Sequence, residues 1–363
     1  MNICIIGDGL SSLALSKNLV NKKIKVFLYY KKIKKKYQNQ TLGISKYNYD
    51  FFNEEITNLK KGTSWNIKQI EIYLEKYKNE KILSINKSNE DLFCIVKIND
   101  IYKLLERSLK KNKFFKKILI KNNNFYKKIL DDKKYDLIIN CEFKNKINTN
   151  FIYSKINKSY KSYAFTTIID HTKINNRKAI QIFTKLGPIA FLPISNFQTS
   201  IVYSINDNKK ILDDSEFIKL INQYNKNYKI RNYGNVEKFD LNFSVPRNYY
   251  YKNLMIFGDL LHRIHPLAGQ GFNMTIRDIK ILSKILQDRI NLGLPIDSTV
   301  CIDFQNKSKH LNFVFSSGID WIYEFFKFDS NIKSNYSKKF FKIINKNKFL
   351  LNFFEKFANK GFF

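Results

Sequence analysis

The stretch from residue 254 to residue 287, LMIFGDLLHRIHPLAGQGFNMTIRDIKILSKILQ, constrains the fold more than any other part of the chain. Its first four residues, 254–257, are apolar and predict a short buried strand. A glycine and an aspartate end that strand, and a loop rich in glycine follows. Residues 272–286 then carry apolar side chains three or four positions apart, which predicts a helix with one apolar face.

This order of elements predicts a ligand site. The strand delivers the carboxylate of Asp259 to a crevice, and the loop directs a helix N-terminus into the same crevice. A helix N-terminus has free N–H groups and a partial positive charge. The arrangement suits a ligand with a polyol, phosphates and a ring that becomes anionic on reduction.

The same stretch resembles a known family. Gly258-Asp259, followed after His262 by HPLAGQGFN at residues 265–273, is similar to the second FAD motif of the FAD-dependent aromatic-ring hydroxylases, the class A flavin monooxygenases. The resemblance is to their ubiquinone-biosynthesis hydroxylase branch. The match is long and has no gap, whereas the alternative is an ordinary strand–loop–helix crossover.

The N-terminus supplies a second part of the expected site. Residues 2–6 predict a strand, a helix follows through about Val20, and residues 24–29 predict a second strand, which together form a βαβ unit. The turn between the first strand and the helix, GDGLSS, has the pattern G-x-G-x-x-S. This motif is weak alone, but with residues 254–287 it indicates a two-part FAD site.

The resemblance implies an α/β fold in which a Rossmann-like FAD-binding domain is interleaved with a β-sheet substrate domain, as in para-hydroxybenzoate hydroxylase, with C-terminal helices. The expected divisions are 1–62, 96–158 and 246–290 for the FAD-binding domain, 63–95 and 159–245 for the substrate-domain sheet, and 291–363 for the helical region. Within the sheet, Phe183, Phe191 and Tyr203 either line the aromatic pocket or belong to the core, and core is the better expectation for any one of them.

The resemblance also implies the chemistry. NAD(P)H reduces FAD, O2 adds at the flavin C4a atom, and the hydroperoxide hydroxylates an electron-rich polyprenyl phenol. No metal is required, and the sequence reveals no catalytic base. The expected cofactor-binding residues are Gly7, Gly9, Ser12, Gln40, Asp259, Pro266, Gly269, Gln270, Gly271 and Asn273.

Several positions depart from the family pattern. The second strand ends in Tyr29 and Tyr30 rather than in the acid that holds a ribose hydroxyl. Gln40 stands where the family usually has Arg. Residues 140–143 read NCEF in place of Gly-Ala-Asp-Gly, a motif that serves flavin and nicotinamide, so that only the carboxylate of Glu142 survives. These departures leave open a second reading, a degenerate relative that acts as a structural component of a quinone-biosynthesis complex.

The loop after the strand contains two further departures from the family pattern and a pair of histidines. Leu260 and Leu261 replace two family alanines, and we expect them to narrow the site beside the flavin. The pair His262 and His265 lacks a third metal ligand. We therefore expect both to be loop histidines that form hydrogen bonds with the backbone near the flavin.

The charge is strongly basic, with 64 Lys and Arg against 31 Asp and Glu, formally +33. Lys is spread through the chain together with Asn, Ile and Phe, so compositional drift explains most of the excess. No zinc-finger spacing or aromatic RNA-binding signature is present, and we expect no nucleic-acid partner. A peripheral membrane contact is a secondary reading, in which the Phe- and Lys-rich tail at 340–357 either docks to lipid or packs on the body.

Four separated cysteines without a C-x-x-C pair predict reduced thiols in a cytoplasmic protein. No apolar run reaches transmembrane length, and the N-terminus lacks the basic region of a secretory signal. The expected location is therefore the cytoplasm, with peripheral contact at the inner membrane.

Overall fold

The computed structural model describes residues 1–32, 39–59, 62–75, 80–86, 91–121, 125–143, 154–206, 213–265 and 271–331. The strands in these ranges are β1 Asn2–Ile6, β2 Lys25–Tyr30, β3 Thr41–Ser45, β4 Ser64–Ile67, β5 Gln69–Leu74, β6 Glu80–Asn86, β7 Phe93–Lys97, β8 Phe115–Leu119, β9 Leu137–Asn140, β10 Lys155–His171, β11 Lys178–Phe183, β12 Pro188–Pro193, β13 Gln198–Asn206, β14 Ile230–Tyr233, β15 Glu237–Pro246, β16 Tyr250–Tyr251 and β17 Leu254–Ile256.

Seven α-helices lie in the same ranges: α1 Leu10–Asn21, α2 Lys46–Phe51, α3 Ile98–Lys110, α4 Phe125–Asp131, α5 Asp214–Tyr224, α6 Gly271–Asn291 and α7 Ser298–Asn331. None of the helices in the described ranges is long and apolar enough to cross a membrane. The expected tail helix at 340–357 lies outside the described residues.

The first sheet has six strands in the order β16-β17-β9-β1-β2-β8, and all neighbours are parallel except β16 and β17. Strands β1 and β9 are buried almost throughout, because parallel strands are covered on both faces. The apolar sides of α1, α3 and α6 complete the largest core cluster. The predicted βαβ unit and the strand at 254–257 are therefore present.

The second sheet follows the order β14-β10-β13-β12-β11-β5-β6, with β15 paired to β10. Helix α5 covers one face, where Phe191 and Tyr203 are buried in the core. Phe183 instead stacks on Phe326 of α7, with ring centroids 3.6 Å apart. For Phe191 and Tyr203 the core reading is therefore correct.

A small third sheet, β3-β7-β4, was not predicted. The segment at 65–72, expected to be substrate-domain strand throughout, divides between β4 of this sheet and β5 of the second sheet. The chain visits the second sheet at β5 and β6, returns to the first at β8, and leaves again at β10. The two large sheets are thus interleaved in sequence, as expected, and the division into domains at particular residues stays a prediction.

Candidate functional site

The crevice lies where the chain reverses its direction across the first sheet. From β1 the chain proceeds outward to β2 and β8, and then returns to the other side of β1 with β9 and β17. The carboxyl ends of β1 and β9 therefore border a topological switch point, the place where open parallel sheets bind ligands. Gly7 follows β1 and Cys141 follows β9 at this edge.

The two predicted motifs meet at the same edge. Gly258, two residues after the end of β17, has φ +66°, and a Cβ placed on it would lie 2.7 Å from the Cβ of Ser11 in the first turn of α1. Only glycine fits at this distance. The turn after β17 and the turn after β1, about 250 residues apart in sequence, thus form one wall of the crevice.

The first turn provides backbone access. Gly7 has φ +100°, and an added Cβ would lie 3.3 Å from the backbone nitrogen of Glu142. At Gly9 an added Cβ would meet nothing within 4 Å, so the space beside this residue is open. Ser12 is fully buried in the helix behind it. The turn therefore has room for a phosphate group against its backbone.

Asp259 lies at the crevice with an exposed side chain. It forms no hydrogen bond or ion pair with another residue in the described ranges. Its carboxylate is close enough to Cys141 that it adds to the effect of burial, which raises the pKa of that thiol to about 12. A carboxylate at a strand end without a protein partner is suited to accept hydrogen bonds from ligand hydroxyls.

The end of β2 has a cation in place of the expected acid. The Lys117 ammonium lies 4.5 Å from the ring centroid of Tyr30. It also contacts two carboxylates, Glu106 at 2.8 Å and Asp8 at 3.5 Å. These three charged side chains are all partly exposed, and sequence patterns gave no signal for their association, because they come from three separate elements.

Helix α6 begins at Gly271 and packs on α1, on β3 and on the turn after β17. Asn273 does not cap this helix. Its side-chain oxygen accepts hydrogen bonds from the backbone nitrogen of Ser45, at 2.9 Å, and from Asn48, at 3.0 Å. Its nitrogen donates to the Gly43 carbonyl at 2.7 Å. The residue therefore holds β3 and α2 against the helix, and its contact with the cofactor stays a prediction.

His262 bonds a side chain rather than the backbone that we expected. Its Nε2 atom lies 2.8 Å from the Asp278 carboxylate, and both side chains are fully buried. Asn312 of α7 donates to the same carboxylate at 3.2 Å and accepts from Arg277. This network joins the loop after β17 to α6 and α7. No sequence pattern indicated Asp278, because an acid within a helix is ordinarily expected to be solvent-exposed.

His265 has entirely different surroundings. Its ring stacks on Tyr323 of α7 at 4.1 Å and meets Tyr160 of β10 edge-on at 5.4 Å. Neither ring nitrogen has a hydrogen-bond partner among the described residues, and the side chain is 1% exposed. Burial lowers the pKa of His265 to about 3, so the imidazole is neutral at physiological pH.

Two residues that replace side chains of the family pattern have protein partners. They are Gln40 and Glu142. Gln40 donates to Glu237 of β15 at 3.0 Å, which ties the segment before β3 to the second sheet. Glu142 accepts a 2.9 Å hydrogen bond from the Tyr126 hydroxyl. Cofactor contact by Gln40 stays a prediction.

The two leucines after Asp259 do not both narrow the crevice. Leu261 is fully buried in the main core, and Leu260 packs against the same cluster. The expectation that Leu261 adds bulk beside the flavin is therefore wrong, because its side chain points into the protein. Pro266, Gly269 and Gln270 lie outside the described residues.

The described residues fit FAD. The open space at Gly9 admits phosphate, Asp259 offers an acceptor for hydroxyl groups, and the first residue of α6, Gly271, brings the positive end of a helix. The main misfit is at the end of β2, where Tyr30 and Lys117 replace a carboxylate.

Comparisons with known proteins indicate the same class of cofactor. Residues 153–291 match the family described as FAD binding domain. The mitochondrial ubiquinone biosynthesis monooxygenase COQ6 of Caenorhabditis elegans is 24% identical over 226 residues, 50% of each chain. The 3-demethoxyubiquinol 3-hydroxylase of Escherichia coli K12 is 31% identical over 150 residues, 39% of this chain and 38% of that one. The match thus spans about half the length, or less, of these curated relatives.

Solved structures show the fold over nearly the whole chain. The p-nitrophenol 4-monooxygenase PnpA of Pseudomonas putida DLL-E4 aligns with a TM-score of 0.73 at 9% identity, over 98% of each chain. Pseudomonas aeruginosa PqsL, crystallised with 2-aminobenzoylacetate, aligns with a TM-score of 0.71 at 12% identity, over 96% of this chain and 100% of that one. The resemblance to flavin-dependent hydroxylases stated from the sequence is confirmed, and so is the fold class.

Proposed function

The chain has the fold of the FAD-dependent aromatic-ring hydroxylases, and from this premise we propose that it is an FAD-dependent monooxygenase of ubiquinone biosynthesis. Its substrate is the aromatic ring of a polyprenylated phenol, and its oxidant is O2. The names of the curated relatives support the substrate class. NAD(P)H is the proposed reductant.

One observation carries the proposal. Gly258 approaches Ser11 so closely that no side chain fits between them. This contact brings the Gly7–Gly9 turn and the Asp259 turn together, as a site built from both motifs requires. The exposed carboxylate of Asp259, which lacks a described protein partner, adds independent support.

The protein's own contribution is binding, orientation and electrostatics. Bound FAD supplies the oxygen-activating chemistry. Gly7 and Gly9 allow the backbone to approach the pyrophosphate, and Asp259 accepts hydrogen bonds from ribityl hydroxyls. The N-terminus of α6 favours the reduced, anionic flavin. The second sheet forms the floor that shields the substrate from water.

The first test is flavin binding. We expect purified protein to be yellow or to bind added FAD with a shifted absorption band. Asp259→Ala should bind FAD at least ten-fold more weakly, because the loss of a charged hydrogen bond costs about 1.5–3 kcal/mol. Asp288→Ala is the matched control, since Asp288 is exposed at the far end of α6. Colourless wild-type protein that ignores excess FAD contradicts the proposal.

The second test is turnover. With a polyprenyl phenol, isotopically labelled O2 and either NADH or NADPH, we expect a product that contains one labelled oxygen atom. Anaerobic bleaching of the bound flavin by each nicotinamide identifies the reductant. A product without label, whose added oxygen comes from water, contradicts monooxygenation. This result would not contradict FAD binding.

A structural role in a quinone-biosynthesis complex is the second candidate. The observation in its favour is the hydrogen bond from Tyr126 to Glu142, which occupies the carboxylate that stands where the family has its flavin and nicotinamide motif. Flavin that binds but is reduced by neither NADH nor NADPH favours this reading. Rapid reduction by either one favours the enzyme.

We further propose that the protein works at a membrane surface, since a polyprenyl tail keeps the substrate in lipid. The formal charge of +33 supports attraction to an anionic leaflet. Reduced thiols and this contact correspond to a cytoplasmic protein held peripherally at the inner membrane, although the C. elegans relative is named as mitochondrial. Sedimentation with anionic vesicles at low and high salt tests the contact.

A further inference from the structure

A surface cleft of about 420 Å³ lies between the first half of α7 and the end of β15, away from the crevice described above. The residues that line it are Ile156, Val245, Pro246, Arg247, Gln305, Asn306, Lys309, His310 and Phe313. Two are permanent cations, one is a histidine, and none is acidic. The remainder are apolar or neutral, so the cleft combines positive charge with an apolar wall.

The side chains of the two cations in the cleft have no ion-pair partner among the described residues. Neither Arg247 nor Lys309 forms an ion pair with a residue in the described ranges, and both side chains are exposed. Lys158 of β10 differs: its ammonium lies 3.1 Å from Asp320 and 2.9 Å from Glu324, both of α7. A protein cation therefore neutralises these two acids, whereas no described acid pairs with the cations in the cleft.

An apolar stripe continues from the cleft along the outer side of the same helix. Val314, Trp321 and Phe328 follow one another at intervals of seven residues, so they lie on one face, and they are 43%, 75% and 58% exposed. His310 and Phe313 connect this stripe to the cleft. An indole exposed to this degree is unusual on a surface that meets only water.

We infer that this side of α7 docks on an anionic phospholipid bilayer, with the cleft holding a lipid phosphate between Arg247 and Lys309. The inference rests on the proposed membrane contact and not on the flavin chemistry. Basic residues near the headgroups and an apolar stripe with tryptophan at the acyl boundary are the features of a helix that lies in the interface plane. Phosphate suits the paired cations, and acyl chains suit the stripe.

The cleft is tested by sedimentation of the full chain with vesicles of phosphatidylcholine, with or without phosphatidylglycerol. The double variant Arg247→Gln/Lys309→Gln should bind the anionic vesicles about thirty-fold more weakly. The control, Lys219→Gln/Arg231→Gln, removes two exposed charges from α5 and β14 and should retain most of the binding. Equal loss in both variants overturns the inference, because net charge alone would then explain attachment. Equal binding to neutral and anionic vesicles also overturns it.

The stripe is tested by fluorescence. The emission of Trp321 should shift to shorter wavelength on anionic vesicles and be quenched by brominated acyl chains, and Trp321→Phe should lose both effects while Trp65 remains. No shift overturns the inference. A concentration-dependent dimer that Trp321→Ser abolishes, without vesicle binding, assigns the stripe to a second copy and overturns it as well. FAD content, measured on the same samples, separates failure of this surface from failure of the proposed enzyme.

Discussion

The two ends of the crevice are built in different ways. At the end where α6 begins, buried polar side chains lock the loop and helices together, through Asn273 in one place and through His262 and Asp278 in another. At the end of β2, partly exposed charges meet around Lys117. Buried hydrogen bonds are costly to break, whereas exposed ion pairs contribute little. The first end therefore depends on specific buried hydrogen bonds, whereas the second tolerates change.

The lesson concerns which departures from the family pattern matter. The positions that differ from the family at the end of β2 lie where charges are solvated and replaceable. Two positions that match it, His262 and Asn273, have side chains that are buried and hydrogen-bonded to specific partners. Four substitutions test this difference, and they follow in order of decreasing expected effect.

Asp278→Ala should have the largest effect. It leaves His262 and Asn312 buried without their shared acceptor. We expect the free energy of unfolding to fall by about 3 kcal/mol, since an unsatisfied buried partner costs about 1–3 kcal/mol and two are created. Urea unfolding followed by circular dichroism measures it. Asp288→Ala on the same helix, an exposed position, should change it by less than about 0.5 kcal/mol. Equal effects of the two variants would remove the distinction.

Asn273→Ala should cost about 2 kcal/mol, because the Ser45 nitrogen and the Gly43 carbonyl lose a buried partner. The same variant should weaken FAD binding, since β3 and α2 are no longer held against α6. Asn291→Ala, at the last residue of that helix, is the control. Full stability with unchanged FAD affinity would show that this end is not locked through Asn273.

His265 should make the protein sensitive to acid. Its pKa is about 3 when folded and returns to about 6.5 on unfolding, so between these values the unfolded chain binds the extra proton. The free energy of unfolding should therefore fall as the pH falls from 6.5, by up to about 1.4 kcal/mol per pH unit. His265→Phe keeps an aromatic ring against Tyr160 and Tyr323 but cannot be protonated. It should therefore remove this part of the dependence of the free energy of unfolding on pH. His310→Gln, at an exposed histidine, should not. Identical slopes for wild type and His265→Phe contradict the expectation.

Glu106→Gln should have the smallest effect. It removes the shorter of the two ion pairs of Lys117, whose side chain is 20% exposed against 31% for Glu106. Exposed pairs contribute about 0.2–1 kcal/mol, and salt screens them. Denaturant unfolding at low and high salt should show a loss of about 0.5 kcal/mol that disappears at high salt. A loss as large as that of Asp278→Ala would make the two ends equivalent.

Much of this architecture follows from the sequence, for an identifiable reason. Strands β1 and β17 and helix α6 carry their burial pattern in consecutive residues, so periodicity reveals them. Glycines at positive φ are equally visible, and Gly258 was expected at its turn. The partners of His262, Asn273 and Lys117 were not visible, because each contact joins residues from separate elements and no local pattern encodes it. The third sheet was missed for the same reason, since its strands are short and come from distant segments.

The contact between Gly258 and Ser11 also determines when the site can form during synthesis of the chain. The turn at Gly7 leaves the ribosome early, yet the turn at Gly258, which completes the same wall, is synthesised about 250 residues later. At about 5–20 residues per second, this is a delay of roughly 12–50 seconds. During this interval β1 and β2 can pair, but β9 lacks β17 at its other edge. If both turns hold FAD as proposed, the nascent chain cannot bind it until most of the protein has been synthesised. A premature stop before residue 254 leaves a fragment whose first sheet lacks β17.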